Sequence, residues 1–276
     1  MTITAHTRPA DDDKPNEDWF GVADGLVVVL DGATIRTDTG CLHGLPWYVH
    51  QLGSALIAAA QDADTSLTDV LATAIRAVTE QHRDTCDLEH PGTPSAAVGI
   101  ARQRGEFLEW ATLGDITVMV ETGPAGLRVT SDDRVSKTAT QERRECDRHL
   151  LGTDAKMAAI QAMKPVELAN RNVAGGYWIA SVEPDAGRHA YTGSALLRDV
   201  QRVAVCSDGA MRALELTTLD TPDAVLRALH QDGPAALVEQ VRAAEQADAD
   251  GARVPRNKGT DDATAVLVEM EGTHPS

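Results

Sequence analysis

The 276-residue chain is short of several things, and each shortage removes a class of function. Phe, Tyr and Trp together supply 3% of the residues, too few for a base-stacking platform or a sugar-binding face. Positive charge is scarce: 25 Lys and Arg stand against 42 Asp and Glu, a formal net charge of −17. A nucleic-acid binder or a protein that docks on an anionic membrane needs the opposite balance. No apolar run approaches the roughly 18–20 residues of a membrane span. The opening Met1-Thr2-Ile3-Thr4-Ala5-His6 has neither the basic nor the apolar region of a secretory signal, so a cytoplasmic protein is expected. Cysteine is limited to Cys41, Cys86, Cys146 and Cys206, with no CxxC pair. That spacing argues against a disulfide framework and a thiolate zinc site and for reduced thiols. Internal repeats and linker-like stretches are also missing.

What is present is a core. Hydrophobic residues reach 42%, enough for a packed interior and too many for disorder. Without a linker, one domain over residues 16–270 is expected, preceded by a flexible polar lead-in at 1–15 and followed by a tail at 271–276. Asp24-Gly25 between two short apolar runs marks a β-hairpin. Leu45 to Ala60 and Leu67 to Val78 carry apolar residues at helical spacing, with Thr65 or Ser66 as N-cap of the second. Ser95–Ala101, Phe107–Thr112, Thr117–Glu121 and Gly126–Thr130 read as a meander turning at Gly105 and Gly123-Pro124. Residues 132–172 read as helices and a surface excursion. Tyr177–Ser181, Arg202–Cys206 and Ala263–Glu269 read as strands, and Pro222–His230 and Pro234–Ala247 as amphipathic helices. Hairpins outnumber βαβ crossovers, which points to an α+β fold of antiparallel sheets covered by helices.

Acidic residues recur at the ends of apolar strands. Glu17-Asp18 precedes the first, Asp31-Gly32 ends Val27-Val28-Val29-Leu30, and Gly114-Asp115 follows Trp110-Ala111-Thr112-Leu113. Asp208-Gly209 follows Val203-Ala204-Val205-Cys206-Ser207, and Asp261-Asp262 precedes the last strand. Each Asp-Gly pair taken alone reads as a turn. Several acids in order, each abutting a valine-rich strand, also read as one rim of carboxylates. Such a rim needs a counter-charge, and all-oxygen ligands suit Mg2+ or Mn2+.

The motifs Asn16-Glu17-Asp18, Val29-Leu30-Asp31-Gly32, Gly92-Thr93-Pro94-Ser95-Ala96, Leu113-Gly114-Asp115, Cys206-Ser207-Asp208-Gly209 and Asp261-Asp262-Ala263-Thr264-Ala265-Val266 come in the order found in type-2C metal-dependent protein phosphatases. In this respect the chain resembles a divergent bacterial-type member of that family (PPM). The resemblance implies a four-layer α/β/β/α sandwich of two mostly antiparallel sheets with a binuclear manganese or magnesium centre. By motif, Asp31 would bridge both ions, Asp208 and Asp261 would hold one, and Glu17 with the Gly32 carbonyl the other. Asp18 would orient water bound to the metal, and Asp115 matches an acid that holds a third ion in some bacterial members. The implied activity is hydrolysis of phosphoserine and phosphothreonine in proteins. A small phosphorylated metabolite as substrate, or a non-catalytic metal-binding module, are the alternatives.

The chain departs from the pattern where the family contacts substrate. Ala33 follows Asp31-Gly32 in place of the His or Met of other members, so the histidine that protonates the leaving group in some of them is missing. Asp13-Lys14-Pro15 occupies the stretch of the phosphate-binding arginine, with Arg8 the nearest arginine. Lys14, Arg256 and Lys258 are therefore candidate phosphate binders; the last two belong to the basic run Arg253–Lys258 just before Asp261. Asp261-Asp262 replaces the usual Asp-Asn. The segment from Thr39 to His50 concentrates Cys41, His43, Trp47, Tyr48 and His50, with Pro46 fitting the first turn of a helix. It reads either as core aromatics with surface histidines or with His43 as a replacement proton donor. Cys41 and His43 alone make no zinc site, since two further ligands are wanting.

Overall fold

A computed structural model describes residues 1–270 apart from Ile35 and positions 124–125. The 271–276 tail and the Pro124 part of the Gly123-Pro124 turn lie outside the described residues. The strands are β1 (Thr2–Arg8), β2 (Asp18–Ala23), β3 (Leu26–Gly32), β4 (Ala96–Arg104), β5 (Phe107–Leu113), β6 (Thr117–Thr122), β7 (Gly126–Thr130), β8 (Tyr191–Leu196), β9 (Val200–Cys206) and β10 (Ala263–Glu269). The helices are α1 (Leu45–Ala59), α2 (Leu67–His82), α3 (Thr140–Asp147), α4 (Asp154–Leu168), α5 (Asp208–Met211), α6 (Ala213–Leu216) and α7 (Pro222–Ala247). Two five-stranded sheets form, ordered β2-β3-β4-β5-β8 and β1-β10-β9-β6-β7, and the strand pairs in both are antiparallel.

Strand alternation builds the layers. In β3 the even residues Leu26, Val28 and Leu30 pack against α1 and α2, with Leu52, Leu56, Leu71 and Ile75. The odd residues Val27 and Val29 meet Val118, Val205 and Val266 of the opposite sheet. In β9 and β10, Ala204, Ala265 and Leu267 face α7 through Leu229, Leu237 and Val241. These three cores give the helix–sheet–sheet–helix order expected from the resemblance. They also explain why β3 reads as an unbroken apolar run: both of its faces are covered. Each fully buried Val or Leu contributes about 1.5–3 kcal/mol of transfer free energy.

Three expectations need correction. Residues 2–8 are no loose lead-in; β1 pairs along its length with β10, Thr2 opposite Glu269 and Arg8 opposite Ala263. Its exposed Thr2, Thr4 and Ala5 mark an edge strand, whose outer face needs no large apolar side chains. The meander is split, because the chain leaves the first sheet after β5 and enters the second at β6. Tyr177–Ser181 makes only isolated bridges, Arg171 with Tyr177 and Ala96 with Ala180. The fifth strand of the first sheet is β8, whose exposed, mostly polar residues hide it from a hydrophobic pattern. The two helices expected in 222–247 are present, separated by a kink at Gly233, where φ is 84°. Among the described residues no helix is long and apolar enough to cross a membrane.

Candidate functional site

The strand ends converge. Asp31 closes β3 and Asp115 follows β5 in the first sheet, while Asp208 follows β9 and Asp261 precedes β10 in the second. Stacking of the sheets therefore brings acids from both onto one rim. Asp31, Gly32, Asp115, Asp208 and Asp261 line a cavity of about 360 Å3. The β2–β3 pairing sets Asp18 directly opposite Asp31. The Asp208 N–H donates to Asp31 Oδ2 at 3.3 Å, and the Gly32 N–H donates to the Glu17 carbonyl at 3.1 Å. Gly209 is required sterically: a Cβ there would lie 1.9 Å from the Asp262 carbonyl oxygen.

The charges in this pocket oppose one another. Burial, then the neighbouring Asp208, Asp18 and Asp115, pushes Asp31 well above the ordinary carboxylate range. Burial, with Asp262 and Asp208 nearby, drives Asp18 to about 8. Burial and Asp208 likewise raise Asp115 to about 7. Asp261 is raised by burial and Asp208 although Lys258 and Arg212 pull the other way. Both carboxyl oxygens of Asp18 are buried without a hydrogen-bond partner; the Ser207 and Thr264 hydroxyls approach but complete no bond. A rim that gathers five acids and leaves one carboxylate unpartnered is incomplete without cations. The donor set, oxygen throughout, fits hard divalent ions such as Mg2+ or Mn2+.

Glu17 is held at the edge of the cluster. Its Oε2 accepts from the Thr34 hydroxyl at 2.7 Å, and its N–H donates to Asp262 Oδ2 at 2.6 Å. The second oxygen of Asp262 accepts the Ala10 N–H, also at 2.6 Å. Asp262, the departure from Asp-Asn, thus clasps two backbone segments and is not among the residues lining the cavity.

The candidate cations separate. Lys258 lines the cavity, with Nζ 2.5 Å from Asp261 Oδ1. Three carboxylates, Asp261, Asp31 and Asp208, raise its pKa against the opposing effect of burial. Arg256 points away: its guanidinium forms a buried ion pair with Asp248 at 2.7 Å and also donates to the Gly259 carbonyl. Lys14 is exposed and pairs with Asp11 at 3.1 Å, and Arg8 pairs with Glu239 on the surface. His43 is likewise not among the residues lining the cavity. It stacks on Trp47 and faces Cys41, His82 and Cys86.

Sequence reading missed Arg36, Arg143, Lys164 and Arg212, which also line the cavity. Arg212 bridges Asp261 at 2.8 Å and Glu245 at 2.6 Å. A signal for it existed, since it follows Asp208 by four residues, one turn of helix. Arg143 and Lys164 both hold Glu167 and come from α3 and α4, whose position over the rim no local pattern reveals. The cavity thus sets a floor of carboxylates from both sheets beside five cationic side chains, Arg36, Arg143, Lys164, Arg212 and Lys258. That arrangement can hold divalent ions on the carboxylates and an anionic group beside the cations.

No family model and no curated protein matches the chain. Solved structures do. A bacterial serine phosphatase covers 100% of both chains at 16% identity and a TM-score of 0.58. A serine/threonine phosphatase from Staphylococcus aureus covers 98% of this chain and 95% of its own, at 15% identity and 0.58. The catalytic domain of the phosphatase PstP, solved in complex with two manganese ions, covers 97% of both chains at 15% identity and 0.52.

Proposed function

We propose that this chain, which has the fold of the PPM-type serine/threonine phosphatases, is a metal-dependent phosphomonoester hydrolase acting on phosphoserine and phosphothreonine in proteins. The observation that carries the proposal is the acidic floor contributed by both sheets, with cationic side chains around it. Asp31, Asp208 and Asp261, with Glu17 and the Gly32 carbonyl, would hold two Mn2+ or Mg2+ ions, and Asp115 a third. When bound, such ions lower the pKa of water and neutralise phosphoryl oxygens. Lys258 and Arg212 stand on the same floor and supply positive charge to an entering phosphate. Arg36, from the chain leaving β3, has its Nη2 on the Asn257 carbonyl at 3.2 Å and is free to exchange that contact for a phosphate oxygen. Asp18, opposite Asp31 and without a partner, is a positioning residue whose carboxyl group would orient water held by the ions.

One observation favours a second reading. Lys258 and Arg212 both pair with Asp261, so part of the carboxylate charge is already neutralised by side chains. A non-catalytic module that keeps the fold would be built in this way. Hydrolysis of para-nitrophenyl phosphate with and without Mn2+ separates the readings. Manganese-dependent turnover abolished by EDTA supports the enzyme, and no turnover at any manganese concentration supports the module. Faster turnover of small phosphorylated metabolites than of phosphoserine peptides would move the substrate to the metabolite class.

A further inference from the structure

Beyond the acidic cavity the molecule holds a second cluster of ligating side chains, built from two separate stretches of chain. Cys41 and His43 lie in the segment that joins β3 to α1. His82 is the last residue of α2, and Cys86 follows one turn later. One ligand atom from each of the four lies within 4.8 Å of every other. Cys41 Sγ is 3.2 Å from Cys86 Sγ, 3.8 Å from His43 Nδ1 and 3.7 Å from His82 Nδ1. Cys86 Sγ is 3.4 Å from His43 Nδ1. A tetrahedral ion with bonds of about 2.3 Å to sulfur and 2.0–2.1 Å to nitrogen requires ligand–ligand edges of roughly 3.3–3.8 Å. Edge by edge that is about 3.8 Å for sulfur–sulfur and about 3.6 Å for sulfur–nitrogen; the three sulfur–nitrogen distances, 3.4–3.8 Å, match closely, and the 3.2 Å sulfur–sulfur distance would open by about half an ångström on binding.

The surroundings fit the same purpose. The His43 ring stacks on Trp47 at 4.2 Å between centroids, and Trp47 also leans on His82 at 5.5 Å, so both imidazoles are oriented by packing. The alternative of a disulfide is not realised: both cysteines are free, and 3.2 Å is far beyond the roughly 2.05 Å of an S–S bond.

We propose that Cys41, His43, His82 and Cys86 form a structural Zn2+ site that pins the segment after Asp31 to the end of α2. Binding would displace two thiol protons and leave a site of no net charge: one Zn2+, two thiolates and two neutral imidazoles bound through Nδ1. Two sulfurs and two ring nitrogens at tetrahedral spacing select zinc over the hard ions suited to the carboxylate cavity. With four protein ligands the site is closed, which marks it as structural. The assignment does not depend on the phosphatase reading, since its ligands and its readout are separate from hydrolysis.

The test uses the full chain purified under reducing conditions. Elemental analysis should find about one zinc per chain after manganese is dialysed away. Replacement by Co2+ should give a thiolate-to-cobalt charge-transfer band and the intense visible bands of a tetrahedral ion. Cys41→Ser and Cys86→Ser should lose both the zinc and the charge-transfer band, while Asp208→Asn keeps them. Should the cysteine variants fail to fold, titrating the wild-type chain with an organomercurial provides the second measurement, with zinc leaving in step with two thiols. The proposal is overturned by a zinc-free chain that gives no cobalt–thiolate band. It is equally overturned by zinc lost in Asp208→Asn but kept in Cys41→Ser and Cys86→Ser, or by a Cys41–Cys86 disulfide in the reduced preparation.

Discussion

Two polar clusters flank the chain that leaves β3, and they are built on opposite principles. The acidic cavity collects like charges from strand ends of both sheets, and its carboxylates are pushed toward their protonated forms. The sulfur–imidazole cluster collects two cysteines and two histidines with no carboxylate among them. The first must be held open against repulsion, so its acids sit on strands buried in three hydrophobic cores. The second assembles from a loop and a helix end, because a single soft ion can organise all four ligands at once. The contrast separates a floor suited to exchanging hard ions and a phosphate from a closed staple.

The largest effect that sharpens this comparison belongs to the cavity. Asp31→Asn and Asp208→Asn should lower manganese-dependent hydrolysis by about a hundredfold to a thousandfold, since a lost ligand removes several kcal/mol of charge stabilisation. Zinc content should not move. The same rates measured at saturating Mn2+ check this, and recovery of activity there would reduce the effect to affinity alone.

Next come the cations. Lys258→Ala should cost about tenfold to a hundredfold in kcat/KM, the worth of a charge-assisted contact of about 1.5–3 kcal/mol. Arg256→Ala should instead leave kcat/KM of the folded protein intact. It breaks the ion pair with Asp248 and should destabilise the fold, read as a lower midpoint of urea denaturation. Interchanged outcomes would mean that Arg256, not Lys258, reaches the substrate.

Two smaller effects follow from protonation and from the second cluster. In the metal-free chain Asp18 is raised to about 8 and Asp115 to about 7 from ordinary values near 3.8. The folded state then holds protons on these two groups that the unfolded state has released, so their contribution to stability declines as pH rises from about 4 toward 8. The melting temperature of the metal-free protein should decline across that window, and Mn2+ should flatten the decline. Asp18→Asn should remove part of the slope while weakening manganese binding by about 10–100-fold, as expected for a residue that orients ligands without binding. His43→Ala should lower the melting temperature by roughly 5–10 °C through loss of zinc. It should slow phosphoserine and nitrophenyl phosphate hydrolysis by the same factor, whereas selective slowing of phosphoserine would make His43 a proton donor after all.

Much of this was legible in the sequence for a physical reason. Asp31, Asp208 and Asp261 each abut a run of Val and Leu, so strand and strand end are read together. Alternation in β3 or β9 tells which residues share a face but not which sheet a strand joins, and the split between β5 and β6 was hidden for that reason. β1 and β8 are half-exposed edge strands whose threonines, serine and histidine carry no apolar period. Arg143 and Lys164 reach the cavity only through the packing of α3 and α4. The zinc ligands were invisible because Cys41 and His82 are 41 residues apart and each pair is incomplete alone.

The measurement that bears most directly on the central claim is a manganese titration of the zinc-loaded full chain, followed by loss of the free-ion electron paramagnetic resonance signal. The wild-type chain should take up about two Mn2+ ions tightly and a third more weakly, with Asp31→Asn and Asp208→Asn taking up fewer and Cys86→Ser as many. Manganese uptake unchanged by either aspartate substitution, or no uptake at millimolar Mn2+, would contradict a metal centre on the acidic floor.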